Sequence, residues 1–197
     1  MSRMTRLAVL ALGLVSVLGT LSASAGAVTW DNSGGTAFTA TAGAGTLSST
    51  GASLGCLSAT GTGTAPVSTV GAFYSVSGTA TFNSCVLSGI TTSVACGYTL
   101  TGTAQDGTGM GSVITGSVDV TCDVTQFSTK LCHIEGSTSG TYTNNVPGVL
   151  TIATSNTLTL TNGGAGTCPL GNGDKGHLTH LTFTTTSANP PTITRTA

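Results

Sequence analysis

Threonine alternates with apolar residues over most of this chain, and that alternation restricts it to strands. A period of two puts every second side chain on the same face of an extended backbone. Thr is β-branched and suits a pleated surface. After residue 26 no segment shows the 3.6-residue apolar period of a helix, and good helix formers are scarce. The alternation predicts strands over 36–42, 53–60, 67–74, 76–82, 93–103, 110–123, 131–135, 140–143, 149–154, 157–161, 178–185 and 191–195. Turn chemistry falls between them at Gln105-Asp106-Gly107, Asn144 to Gly148, Ser155-Asn156, Asn162-Gly163-Gly164 and Gly171 to Asp174. Short strands with close turns give an all-β fold. An antiparallel β-sandwich is expected, with a closed or partly closed β-barrel as the second architecture. A membrane barrel fits worse, because one Trp, three Tyr and five Phe are too few for aromatic girdles.

The first residues carry a different signal. Met1 to Arg6 is basic without an acid, and residues 7–18 (LAVLALGLVSVL) are almost wholly apolar. Small residues follow at Ala23 and Ala25. This is the layout of a secretory signal peptide, and the apolar run is short of the roughly 20 residues a membrane span needs. Cleavage is expected after Ala25, with Ala27 as the alternative. Residues 26–197 are then one all-β domain, secreted or held at the cell surface, with no integral membrane segment.

Beyond residue 25 the chain has three basic residues, Lys130, Lys175 and Arg195, against six acids, a net charge of −3. Nucleic acid and anionic lipid both require clustered Lys and Arg, so neither is an expected partner. With so few charges, Thr and Ser must cover the solvent faces, giving a neutral surface rich in hydroxyls.

All six cysteines, Cys56, Cys85, Cys96, Cys122, Cys132 and Cys168, lie beyond the leader. An even number in an oxidising compartment reads as a disulfide set. Fifteen pairings are open. Neighbours in sequence become neighbours in an antiparallel sheet, so the expected set is sequential: Cys56–Cys85, Cys96–Cys122 and Cys132–Cys168. The shortest gap is ten residues, Cys122 to Cys132, unlike the close spacing of zinc ligands.

Residues able to carry chemistry are few. His133 and Glu135 are two apart on a predicted strand and share a face, as an acid–base pair or two metal ligands would. If His177 approached them across a sheet, a two-His, one-carboxylate site would form. His177 and His180 are three apart before or within a strand, so they point to opposite faces. Asp119 and Asp123 share a face, a weak match to paired carboxylates. There is no G-x-S-x-G, phosphate loop, dinucleotide fingerprint or EF-hand pattern, and no cofactor is expected. Thr-x-Thr steps at 39/41, 60/62, 79/81, 99/101, 141/143, 159/161 and 182/184 resemble the ranks of ice-binding solenoids, but their spacing drifts where a solenoid would keep its period.

Several stretches together carry a resemblance. They are Ala27 to Ala40 (AVTWDNSGGTAFTA), Leu54-Gly55-Cys56, Ala80 to Cys85 (ATFNSC), Gly140 to Asn144 (GTYTN) and Gly166 to Asp174 (GTCPLGNGD). Their order is similar to that in uncharacterised secreted, Thr/Gly-rich, cysteine-containing proteins of actinobacteria. The resemblance implies export, disulfides and an all-β domain, and it lends no activity.

These readings converge on a secreted or cell-surface, non-enzymatic β domain, structural or binding a neutral partner such as a glycan or surface protein. The alternatives are a secreted hydrolase or metal-dependent enzyme using His133, Glu135 and His177, and a small-ligand carrier if the strands form a barrel.

Overall fold

The computed structural model describes residues 27–164, 168–179 and 181–197. The expected leader and His180 lie outside them. Among the described residues there are strands and no helix: β1 (Thr29–Asn32), β2 (Ala37–Ala42), β3 (Gly45–Ser48), β4 (Ser53–Cys56), β5 (Ser58–Thr64), β6 (Ser68–Val70), β7 (Tyr74–Leu87), β8 (Ile90–Asp106), β9 (Val113–Gln126), β10 (Thr129–Thr143), β11 (Val149–Ile152), β12 (Ser155–Asn162), β13 (Lys175–Leu178), β14 (Leu181–Thr185) and β15 (Ile193–Thr196).

Four long strands, β7–β8–β9–β10, form one antiparallel layer. The other layer is built from short strands in two groups. One group runs β5–β2–β14–β11 and pairs at its ends with β7 and β10. The second runs β4–β3–β13–β12 and pairs with the same two long strands further along. The fold is thus a sandwich whose two layers are hydrogen-bonded along both long edges. Pairing along these two edges satisfies backbone groups that would otherwise make free strands associate.

The core lies between the layers. Ala40, Leu47, Leu54, Leu87, Val94, Val118, Val124, Ile134, Leu160 and Phe183 bring side chains from both into one cluster. The cysteines join it, bonded as Cys56–Cys85, Cys96–Cys122 and Cys132–Cys168, the sequential set. Cys96 stands opposite Cys122 in the β8–β9 register. Two β-bulges bring other cysteines inward. Phe82 and Cys85 are three apart yet both face the core, because the β7–β8 register shifts between them. In β10 the shift lies between Lys130 and Cys132, two residues that unbroken alternation would put on one face. The extra residue turns Cys132 into the core and leaves Lys130 outside.

A small sheet, β6–β1–β15, packs through Trp30 and Ile193 against Tyr74 and Val76 of β7 and Ile114 of β9. Trp30, fully buried, packs against Tyr74 with ring centroids 6.1 Å apart, and Ile114 and Ile193 join them. Side-chain amides hold β15. Asn144 donates to the Ile193 carbonyl at 2.6 Å and accepts the Ile193 N–H at 2.9 Å. Gln105 donates to the same carbonyl at 3.2 Å and accepts the Arg195 N–H. These amides supply the bonds a further strand would have made.

Candidate functional site

Asp123, Lys130, His133 and Glu135 gather on the outer face of β9 and β10. His133 and Asp123 are cross-strand partners. The His133 Nδ1–H donates to Asp123 Oδ1 at 2.7 Å, and Nε2 lies 3.8 Å from Glu135 Oε2. Lys130 Nζ reaches the other Asp123 oxygen at 2.7 Å. The Lys130 and His133 hydrogen bonds hold the Asp123 carboxyl below the usual carboxylate range, against a small opposing effect of burial. The expected sharing of a face by His133 and Glu135 is therefore seen, with Asp123 as the closer carboxylate. Sequence reasoning missed Asp123 as the partner of His133, because their ten-residue separation becomes a contact only through the Phe127-Ser128 hairpin.

His177 sits elsewhere. β10, β12 and β13 are successive strands, with Glu135 opposite Thr159 and Thr159 opposite Lys175. His177 is therefore two strand spacings across from β10, about 10 Å, and further along the strand. Its Nδ1 bonds Asn156 Oδ1. Among the described residues no group of three His, Cys, Asp or Glu side chains is placed to hold a metal ion. Asp119 lies on the same outer face of β9 as Asp123, opposite Ser137.

Threonines form an uncharged face across β14, β2, β5 and β7. Thr184, Thr41, Thr60 and Thr81 are successive cross-strand partners on β14, β2, β5 and β7. Thr39, Thr62 and Thr79 form the next rank, and Thr64, Ser77 and Thr99 another. Strand geometry sets the grid at about 4.8 Å across strands and about 6.7 Å along them. The Thr62 and Thr79 hydroxyls are 3.2 Å apart, and Thr39 bonds Thr186 at 2.7 Å. Thr39, Thr62, Thr64, Ser77, Thr79 and Ser187 border a shallow depression with Gly63 and Gly78 between them. Three of the Thr-x-Thr steps, 39/41, 60/62 and 79/81, thus sit side by side on antiparallel neighbours. The sequence showed the steps but not that long-range pairing would align them.

Between the layers lies an apolar cavity of about 120 Å³. Ala40, Leu100, Val118, Val120, Leu181 and Phe183 are among its walls, and among the described residues none that lines it is charged. The Tyr98 and Tyr142 hydroxyls are engaged, donating to the Thr62 carbonyl at 3.0 Å and the Pro191 carbonyl at 2.7 Å. Burial pushes both phenols up to about 12. A void of this size costs about 3 kcal/mol relative to a filled core.

No family model, curated protein or solved structure matches the chain. Among the described residues no helix is long and apolar enough to cross a membrane.

Proposed function

We propose that this protein is exported by residues 1–25 and works outside the cell as a non-enzymatic domain that binds an uncharged glycan through its threonine face. The observation that carries the reading is the chemistry of that face. Five neighbouring strands, β14, β2, β5, β7 and β8, contain one charged residue between them, Asp106 at the end of β8. Ranks of hydroxyl and methyl groups at regular spacing suit a repetitive, neutral partner, which needs hydrogen bonds and apolar contact but no counter-charge. β-Branched Thr loses little rotamer freedom on docking, so a rigid sheet presents these groups at low entropic cost.

Three buried disulfides support an oxidising compartment, where such bonds form and persist. The intact mass of the exported protein tests the leader: loss of residues 1–25 is expected, and a mass retaining Met1 contradicts it. Retention of the purified protein on insoluble neutral polysaccharides tests the binding. Retention that survives high salt is expected, because no ion pair is involved. Passage through every neutral matrix, with retention only on a protein fraction of the envelope, overturns the glycan reading.

A further inference from the structure

We infer that the cavity between the layers is a binding site for a small, uncharged molecule of hydrocarbon character, about the size of one aromatic ring. Its volume, about 120 Å³, approaches that of engineered apolar cavities that stay dry and take up benzene or xenon. It is below the volume of pockets for drug-sized ligands, which sets an upper bound on the guest.

The space follows from side-chain choice. Ala40, Gly61 and Ala80 contribute at most a methyl group each to the lining. A Cβ added at Gly61 would meet the Phe183 ring at 3.7 Å, ordinary van der Waals contact, so close packing does not demand glycine there. Both alanines are nearly buried and sit in regular strands. Larger aliphatic residues at these positions would fill the gap. The two phenol hydroxyls in the lining already have carbonyl partners, so a guest bearing a charge or an unmet hydrogen-bonding group would be desolvated without compensation. A hydrocarbon loses nothing on entry and restores the dispersion contacts that the walls lack. The site is separate from the threonine face, and each stands or falls alone.

Thermal unfolding with benzene as the probe, and xenon NMR as a second measurement, tests the assignment. Benzene at about ten times its dissociation constant is expected to raise Tm by about 3–6 °C. Ala80→Leu and, separately, Ala40→Leu are expected to abolish that rise and the shift of bound xenon, while leaving adsorption to polysaccharide unchanged. If one substitution prevents folding, the other carries the comparison. Absence of both the Tm rise and a bound-xenon resonance in the native chain overturns the proposal. So does an equal response in a folded filled-cavity variant, because binding then lies elsewhere.

Discussion

Tyr98 lies over Gly78, its partner on the neighbouring strand: a Cβ on Gly78 would stand 2.6 Å from the phenol Cζ. The same added carbon would strike the Thr62 carbonyl oxygen. Glycine here is a space requirement set by the Thr62 carbonyl and the ring together. Gly78→Ala is expected to destabilise the protein by about 1–3 kcal/mol, the usual cost of overpacking. Gly97→Ala, where an added Cβ meets nothing within 4 Å, is expected to stay within about 0.5 kcal/mol of the native chain. Denaturant midpoints of the two variants check both values.

Cys96 and Cys122 close a span of 26 residues between facing positions on β8 and β9. In the chain-entropy picture this bridge contributes about 3–4 kcal/mol. Replacing both residues with Ala is expected to lower stability by up to that amount, with the other two bridges intact. Non-reducing peptide mapping should recover only the three sequential pairs; a Cys85–Cys96 peptide would contradict the register.

Much of this fold is legible in the sequence: β2, β9 and β11 lie close to where the alternation places them, the disulfides pair in the sequential order expected, and β12 covers the expected 157–161 but begins at Ser155-Asn156, which was expected as a turn. The misses have local physical causes. The 131–135 and 140–143 segments are one strand, β10, because Gly136 and Gly140 have no side chain to mark the inner face. β1 and β3 were not expected, being four residues long and flanked by Ser and Gly. The hairpin at Phe127-Ser128 has positive φ at both residues, 46° and 67°, without the Asn or Gly that signals such a turn. The region read as one strand over 178–185 is split between β13 and β14, which pair with different neighbours. The threonine grid was visible only as scattered steps, since its order comes from pairing across distant segments.

The buried phenols make stability fall in alkali. Tyr98 and Tyr142 keep their protons up to about pH 12, while exposed phenols in the unfolded chain ionise near pH 10. Between those values the folded state holds more protons, so stability declines as pH rises. Their contribution is complete below about pH 10 and lost as pH passes about 12. Spectrophotometric titration should show phenolate appearing together with the loss of tertiary structure. Tyr98→Phe is expected to weaken that pH dependence.

The depressed Asp123 acts at the other end of the scale. Its contribution is present above the unfolded carboxyl value near 3.9 and is lost as pH falls through the lower folded value. Asp123 and Lys130 are each more than a third exposed, so solvent screening keeps the effect within about 0–1 kcal/mol. In Lys130→Met, the Asp123 carboxyl is expected to titrate closer to the ordinary value. Carbon-detected NMR titration reads that shift, and an unchanged Asp123 would discount the Lys130 bond.

The threonine face is tested most directly by adsorption isotherms on an insoluble neutral polysaccharide that retains the native protein. The comparison is Thr62→Lys/Thr79→Lys, which puts two charges into the central rank, against Ser139→Lys on the distant outer face of β10. With folding verified for each, the double variant is expected to lose at least about tenfold in affinity, and Ser139→Lys is expected to bind as the native protein does. Equal binding by all three would contradict the assignment of this face.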